Sequence, residues 1–274
     1  MRYPPATWRL LLEPHHRPGA LNMAIDEAVL RAVAAGKAPP TLRLYGWSPP
    51  ALTLGRGQPY ADADVVALQR DGIHLVRRMT GGTAVLNRYE LTYAAVVTDD
   101  EPRFAGNVAE SYQGMSAGLL SALVHLGLTS AEARGRNRDV DRRVPRVRTP
   151  VCFEIPSDYE ITVDGRKLVG SSQMRVRGAI LQHGSLPLVG DIGDISAYLT
   201  ERPDPARIHS LTVTLRDALG RVVSWEEAAK AVVAAVSDVL DLTFVQSPLT
   251  RDERQHVETL LADKYGSPAW TTRL

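Results

Sequence analysis

A chain of 274 residues sits near the size at which one hydrophobic core stops growing, which predicts a single domain over 1–274 with room for an enzyme site. Hydrophobic residues at 44%, charged residues at 23% and a formal net charge of +1 are the composition of a folded globular protein and exclude any global attraction to nucleic acid or membrane. The single cysteine, Cys152, excludes an internal disulfide and a cysteine-cluster metal site; no metal is expected, and a reducing, cytoplasmic compartment fits.

The opening MRYPPATWRLLLEPHH has only a three-leucine run broken by charge and proline, so it reads as neither signal peptide nor membrane span. LNMAIDEAVLRAVAAG places Leu21, Ile25, Ala28, Val29 and Ala32 at helical spacing, with Gly36 as the stop. TLRLYGW and ALTLGRG have strand character, and VVALQRDG reads as a helix ending at Gly72. IHLVRRMTGG and TAVLNRYELTYAAVV are two strand-like runs joined at Gly81-Gly82. A helix from about Val108 to Leu126 is predicted to bury Leu119, Leu120, Leu123 and Val124. RGRNRDVDRRVPRVR then carries seven arginines against two aspartates and almost no large apolar residue, so it reads as a loop. In YEITVDGRKLVGSSQMRVRGAILQHGSLPL, Asp164-Gly165 and Arg177-Gly178 are turn signals, and three antiparallel strands are expected. From about Ser224 the chain reads as a helical end, with one helix through Leu240 and another over 250–264.

Cys152 lies in PVCFEIP, between two prolines. A cysteine without a partner cysteine is more often a buried small hydrophobe than a nucleophile. Here it precedes a strand that turns at Asp164-Gly165, so the return strand brings Lys167 and Gly170 back toward it. An ammonium beside a thiol lowers its pKa and enriches the nucleophilic thiolate, although a lysine just after a hairpin turn is most often solvated. In RRMTGG, Gly81 and Gly82 permit close backbone approach and amides aimed at developing negative charge, and a plain β-turn explains the same residues. His183 in QHGSL is a candidate base, with a hydrogen-bonded core histidine as the bland alternative. The arginine-rich loop is either a solvated loop or a landing site for an acidic protein partner or nucleic acid. Nothing aromatic is interleaved with it, which argues against single-stranded nucleic acid.

Taken in order, NMAIDEAVL, TLGRGQ, RRMTGGTAVLN, ELTYA, CFEIPSDYE, GRKLVGSSQ and ILQHGSL resemble the lipoate/octanoate attachment superfamily over about residues 20–190, and within it the cysteine-dependent octanoyltransferases. The resemblance implies an α+β fold, with a mixed, mainly antiparallel sheet and packed helices, shared with lipoate ligases and biotin ligases. It implies no cofactor, and transfer of octanoyl from octanoyl-acyl carrier protein to a lysine of a lipoyl-domain protein such as the glycine cleavage H protein. By motif position Cys152 matches the acyl-accepting cysteine and Lys167 the active-site lysine. Arg78, Gly81, Gly82, Thr83, Gly170, Ser171 and His183 match substrate-binding positions, and Val85, Leu86 and Ile180 are candidates for an apolar slot. Lipoate ligases usually read RRxxGGGAV with a following His-Asp. Here Thr83 occupies the third glycine position, where a β-branched residue does not readily reach positive φ, and Asn87-Arg88 replaces His-Asp. An ATP-dependent ligase, an octanoyl amidotransferase between lipoyl domains and a noncatalytic lipoyl-domain binder stand as alternatives.

Overall fold

The computed structural model describes residues 3–133 and 160–274. In chain order its elements are β1 (Ala6–Leu12), α1 (Gly19–Ala34), β2 (Thr41–Tyr45), β3 (Ala51–Leu54), α2 (Val65–Arg70), β4 (His74–Arg77), β5 (Val85–Asn87), β6 (Glu90–Thr98), α3 (Val108–His125), β7 (Ala131–Ala133), β8 (Ile161–Val163), β9 (Arg166–Val176), β10 (Ala179–Pro187), α4 (Pro205–Leu211), α5 (Leu215–Leu219), α6 (Trp225–Leu240), β11 (Leu242–Gln246), α7 (Arg251–Leu260) and α8 (Pro268–Thr271). Eight strands form one sheet in the order β11-β1-β2-β6-β10-β9-β8-β7, and β4-β3-β5 form a smaller one. In the large sheet β1 runs parallel to β2 and β11, and the other pairs are antiparallel, as the mixed, mainly antiparallel expectation requires. Among the described residues no helix is long and apolar enough to cross a membrane.

The two hairpins of the expected three-strand unit form where the turn signals lie. Asp164 and Gly165 both take positive φ, at 50° and 75°, the handedness that lets a two-residue turn match the twist of its strands. Beyond it β9 pairs with β10 in a continuous register that sets Ser172 opposite His183 and Ser171 opposite Gly184. Side chains alternate across β10: Ile180 and Leu186 enter the core shared with α3 and α6, whereas Ala179 and Leu181 enter the core under α1. A third core joins the small sheet to α2, α4 and the turn at 192–198.

Several expectations change at this level. TAVLNRYELTYAAVV is not one strand: the chain turns at Arg88-Tyr89, so β5 belongs to the small sheet and β6 to the large one. α1 is buried almost all round rather than on one face, because the sheet covers one side and α7 the other, and Asn22, Asp26 and Glu27 are buried with the apolar residues. In α3, Leu119 and Leu123 are buried as expected, but Val124 is 50% exposed. The buried stripe runs instead through Ser111, Met115, Leu119 and Ala122, with Gly114 and Gly118 letting α6 approach. β1, β11, α4 and α5 were not anticipated.

Candidate active site

A cleft opens where β2, β3, β9 and β10 converge. Met23, Trp47 and Val85 give it apolar walls, and Arg78, Asn87, Gly170, Ser171, Ser172 and His183 supply the polar groups. A second hollow, lined by Leu86, Tyr89, Glu90 and Ile192, meets it at Val85 and Ser185. Of the residues expected to form an apolar slot, Val85 and Leu86 therefore line these spaces. Ile180 does not, because its position in β10 turns it into the core on the opposite face of the sheet.

The glycine loop stands at the rim. Gly82 takes a φ of +90°, and its carbonyl lies where a Cβ on Gly55 would come within 1.8 Å, so the GRG and TGG loops touch through backbone alone. Gly81 and Gly82 are exposed, and Thr83 does not take positive φ. Arg78 lines the cleft, yet its guanidinium donates to the carbonyls of Gly81 (2.7 Å), Thr83 (2.8 Å) and Thr53 (3.1 Å), so it also clamps the loop from beneath.

Behind the cleft a hydrogen-bonded chain runs into the core. The Ser172 hydroxyl donates to Thr80 Oγ1 at 2.8 Å, Thr80 Oγ1 lies 2.7 Å from His183 Nε2, and His183 Nδ1 lies 3.3 Å from Asp26 Oδ2. Tyr45 donates to the same carboxylate oxygen at 2.9 Å, and Arg43 Nη1 donates to Oδ1 at 2.6 Å. Burial works to raise the Asp26 pKa, but the Arg43 charge and the His183 contact outweigh it and hold the carboxyl below its usual range. Asp26 is thus an acceptor only, so His183 donates to it from Nδ1, while Nε2 shares a hydrogen bond with Thr80 Oγ1.

Glu90, at the start of β6, is the second buried carboxyl of the site. It accepts from Asn87 Nδ2 and from the Arg88 amide, both at 2.6 Å, while Thr53 donates to Asn87 Oδ1 at 2.7 Å. Asn87 therefore fastens β5 to β3 and to the start of β6. Arg88 points outward to Asp194 at 2.8 Å.

Lys167 is not the solvated hairpin charge that its place after the turn suggested: it is 4% exposed and ion-paired to Glu160, itself 5% exposed. Glu160 closes the CFEIPSDYE motif, eight residues after Cys152. Cys152 and the arginine-rich stretch lie outside the described residues. The lysine of one motif and the last residue of the cysteine motif are therefore joined in the core.

Comparison with known proteins decides what this arrangement belongs to. Residues 18–237 match the model of the lipoyl protein ligase A/B catalytic domain. The chain belongs to that family. It is 41% identical to octanoyltransferase LipM of Symbiobacterium thermophilum, over 97% of this chain and 98% of that one. It is 38% identical to octanoyltransferase LipM of Geobacillus kaustophilus, over 96% and 97%. Accordingly it is an acyltransferase. Among solved structures, lipoate-protein ligase A bound with ATP superposes with a TM-score of 0.79 at 25% identity, covering 97% of this chain and 98% of that one. The bipartite lipoate protein ligase of Thermoplasma acidophilum shares the fold with a TM-score of 0.77 at 22% identity, over 98% and 96%.

Within this family frame the structure brings Arg78, Gly170, Ser171 and His183 to one cleft, with Gly81, Gly82 and Thr83 at its rim, and sets Lys167 apart in the pair with Glu160. Asp26, Thr80, Ser172 and Glu90 escaped attention although each lies inside a recognised motif.

Proposed function

We propose that the chain transfers octanoyl from octanoyl-acyl carrier protein to a lysine of a lipoyl-domain protein, such as a glycine cleavage H protein, through a thioester on Cys152. The observation that carries this reading is the likeness over nearly the whole chain to relatives named octanoyltransferase. The burial of Lys167 against the end of the cysteine motif supports it further.

In the first half-reaction the Cys152 thiolate attacks the octanoyl thioester. Its C–S bond to the carrier breaks, and the carrier's pantetheine thiolate leaves. In the second, the neutral amine of the acceptor lysine attacks the acyl-cysteine, the new C–N bond forms, the C–S bond breaks, and the proton that the amine loses passes to the released Cys152 sulfur or to water. An amide is more stable than a thioester, so no ATP is consumed. The apolar walls at Met23, Trp47 and Val85 suit the acyl chain, whose burial contributes about 0.8 kcal/mol per methylene. The arginine-rich stretch 134–148 offers local positive charge to acidic carrier or lipoyl domains in a chain that is otherwise near neutral.

Intact mass after mixing with octanoyl-acyl carrier protein, without ATP, tests the reading. A hydroxylamine-labile octanoyl adduct is expected on the natural chain and not on Cys152→Ala. An adduct that persists in Cys152→Ala, or amide formation that needs ATP and free octanoate, overturns it.

A further inference from the structure

We propose that a third hollow, between α1, β9 and the C-terminal segment, binds an unbranched carboxylate of medium chain length, with the chain against methionine and tryptophan side chains and the head on Arg56. The site lies apart from the cleft and does not depend on where the acyl group is carried during transfer.

The hollow encloses about 330 Å³, within the range of small-molecule sites. Leu30 and Ala34 of α1, Met174 of β9, Met79 and the half-buried Trp270 of α8 give it apolar walls. Met174 lies two residues along β9 from Ser172 and so shares the face that borders the cleft. Met79 precedes Thr80, which bonds Ser172 and His183, so one step of the RRMTGG loop divides the hollow from the cleft. Unbranched, polarizable methionine side chains adapt to a flexible chain. At roughly 30 Å³ for each water-sized group, the space is ample for a chain of about ten non-hydrogen atoms.

The charges at the mouth define the head group. Glu27 accepts from Arg31 Nη2, Lys264 Nζ and the Tyr265 hydroxyl, each at 2.6 Å. Burial works to raise its pKa, but the bonds from Lys264 and Tyr265 outweigh that and keep it ionised. Arg31 and Lys264 are therefore already engaged by a carboxylate. Arg56 is not. It is exposed, and its Nη1 meets Met174 Sδ at 3.7 Å, a thioether being a weak acceptor that a carboxylate displaces readily.

The surroundings of Arg56 also lack negative charge. Arg273 donates to the Arg56 carbonyl at 2.6 Å and lies 3.8 Å from the Trp270 ring centre, while Arg77 donates to the Gly55 and Gln58 carbonyls of the same loop. Among the described residues none of these three guanidiniums forms an ion pair, and Asp62, the carboxylate that acts on Arg77, accepts from Gln58 instead. Burial and the Arg56 charge hold the Arg273 pKa below its ordinary value, and burial and Arg273 do the same to Arg77. One guanidinium facing an apolar floor matches one carboxylate on an apolar chain, a pairing strengthened by bidentate hydrogen bonds. A phosphate dianion calls for the further cations that Glu27 already holds. Because Arg56 belongs to the GRG loop, an occupied hollow ties that loop to α1 and β9.

Fluorescence and calorimetry on the full chain test the site, with circular dichroism to check that each variant is folded. The first probe is 8-bromooctanoate, whose bromine quenches a nearby indole; Trp270 lines the hollow and Trp47 lines the cleft. Trp270→Phe is expected to lose a saturable quenching component that Trp47→Phe keeps. The reverse result, or the same curve in Trp270→Phe and the natural chain, overturns the proposal. In titration calorimetry, octanoate is expected to bind the natural chain about 15-fold more tightly than hexanoate, at two fewer methylenes. Arg56→Gln is expected to weaken octanoate about tenfold without altering octan-1-ol, while Arg56→Lys retains most of the affinity. Octan-1-ol or inorganic phosphate binding as tightly as octanoate would assign the hollow to a neutral chain or a free anion and overturn the carboxylate class. Equal affinities for hexanoate and octanoate, an unchanged octanoate affinity in Arg56→Gln, or no saturable octanoate binding overturns the site itself.

Discussion

Glu90 receives an N–H donor on each carboxyl oxygen, which favours its ionised form, yet burial is the larger effect and pushes its pKa up to about 7 from an ordinary 4.5. Because the folded value lies above the unfolded one, protonated Glu90 contributes stability that is complete below about pH 4.5 and is lost as the pH rises through about 7. The linked free energy is about 3 kcal/mol. Denaturant unfolding of the natural chain and of Glu90→Gln at about pH 5 and pH 8 reads it directly. The natural chain is expected to lose about 2–2.5 kcal/mol more than the variant over that interval, and parallel losses would refute the assignment. Lys167 poses a different question, since its charge is held in a buried ion pair and is also proposed to serve the acyl transfer. Lys167→Ala breaks the buried ion pair with Glu160 and is expected to cost about 3–5 kcal/mol. Adding Glu160→Ala removes the carboxylate as well and should restore part of that stability while acylation of Cys152 stays lost. A double variant that regained acylation would reduce the lysine to a strut.

At the scale of elements, the β8-β9-β10 unit could be read from the chain because its turns carry local chemistry, with Asp164-Gly165 and Arg177-Gly178 fixing both registers. β1 and β11 could not, because their stability comes from pairing Ala6 with Leu242 across nearly the whole sequence, and periodicity within either segment does not reveal that partner. The division of TAVLNRYELTYAAVV was hidden for a related reason: its apolar pattern continues through Arg88-Tyr89, and only the bonds from Asn87 and the Arg88 amide to Glu90 show where the backbone turns. The same limit applied to the site. Lys167, Gly170 and His183 stood out by residue type, whereas Asp26 did not, because nothing local indicates that Arg43 and Tyr45 of β2 and His183 of β10 meet it from the sheet. Gly184 shows how tightly the two long strands are drawn together beside the cleft. A Cβ there would lie 2.5 Å from the Tyr93 ring, 2.6 Å from Ser171 Oγ and 2.7 Å from the Gly170 carbonyl. Gly184→Ala should therefore force β9 away from β10, destabilise the fold by about 1–3 kcal/mol and slow acyl loading. Natural loading kinetics in the folded variant would show that the close approach does not serve the cleft.

At the scale of the whole molecule, the last residues of the chain return to the loops that frame the site. Arg77, fully buried at the end of β4, donates to the carbonyls of Gly55 (2.8 Å) and Gln58 (2.5 Å) in the GRG loop and to Thr271 (2.8 Å) in α8. Trp270 returns a hydrogen bond to the Arg77 carbonyl at 2.8 Å, Arg273 donates to the Arg56 carbonyl at 2.6 Å, and the Tyr60 amide donates to Leu274. α8 is anchored in turn through Lys264 and Tyr265, each 2.6 Å from Glu27, the neighbour of Asp26 on α1. One end of the chain thus ties α1 to the GRG loop, which meets the glycine loop through Gly55 and Gly82. Ending the chain at Ser267 removes the Thr271 acceptor from a buried guanidinium, at an expected cost of about 1–3 kcal/mol. More tellingly, it should raise amide hydrogen exchange selectively over residues 55–60 and 80–83 while leaving β6 and β10 protected, because those strands keep all their ladder bonds. Acyl loading should fall in step with the loosened loops. Uniform exchange acceleration across the sheet would mean that the C-terminal segment holds the fold as a whole rather than the loops of the site.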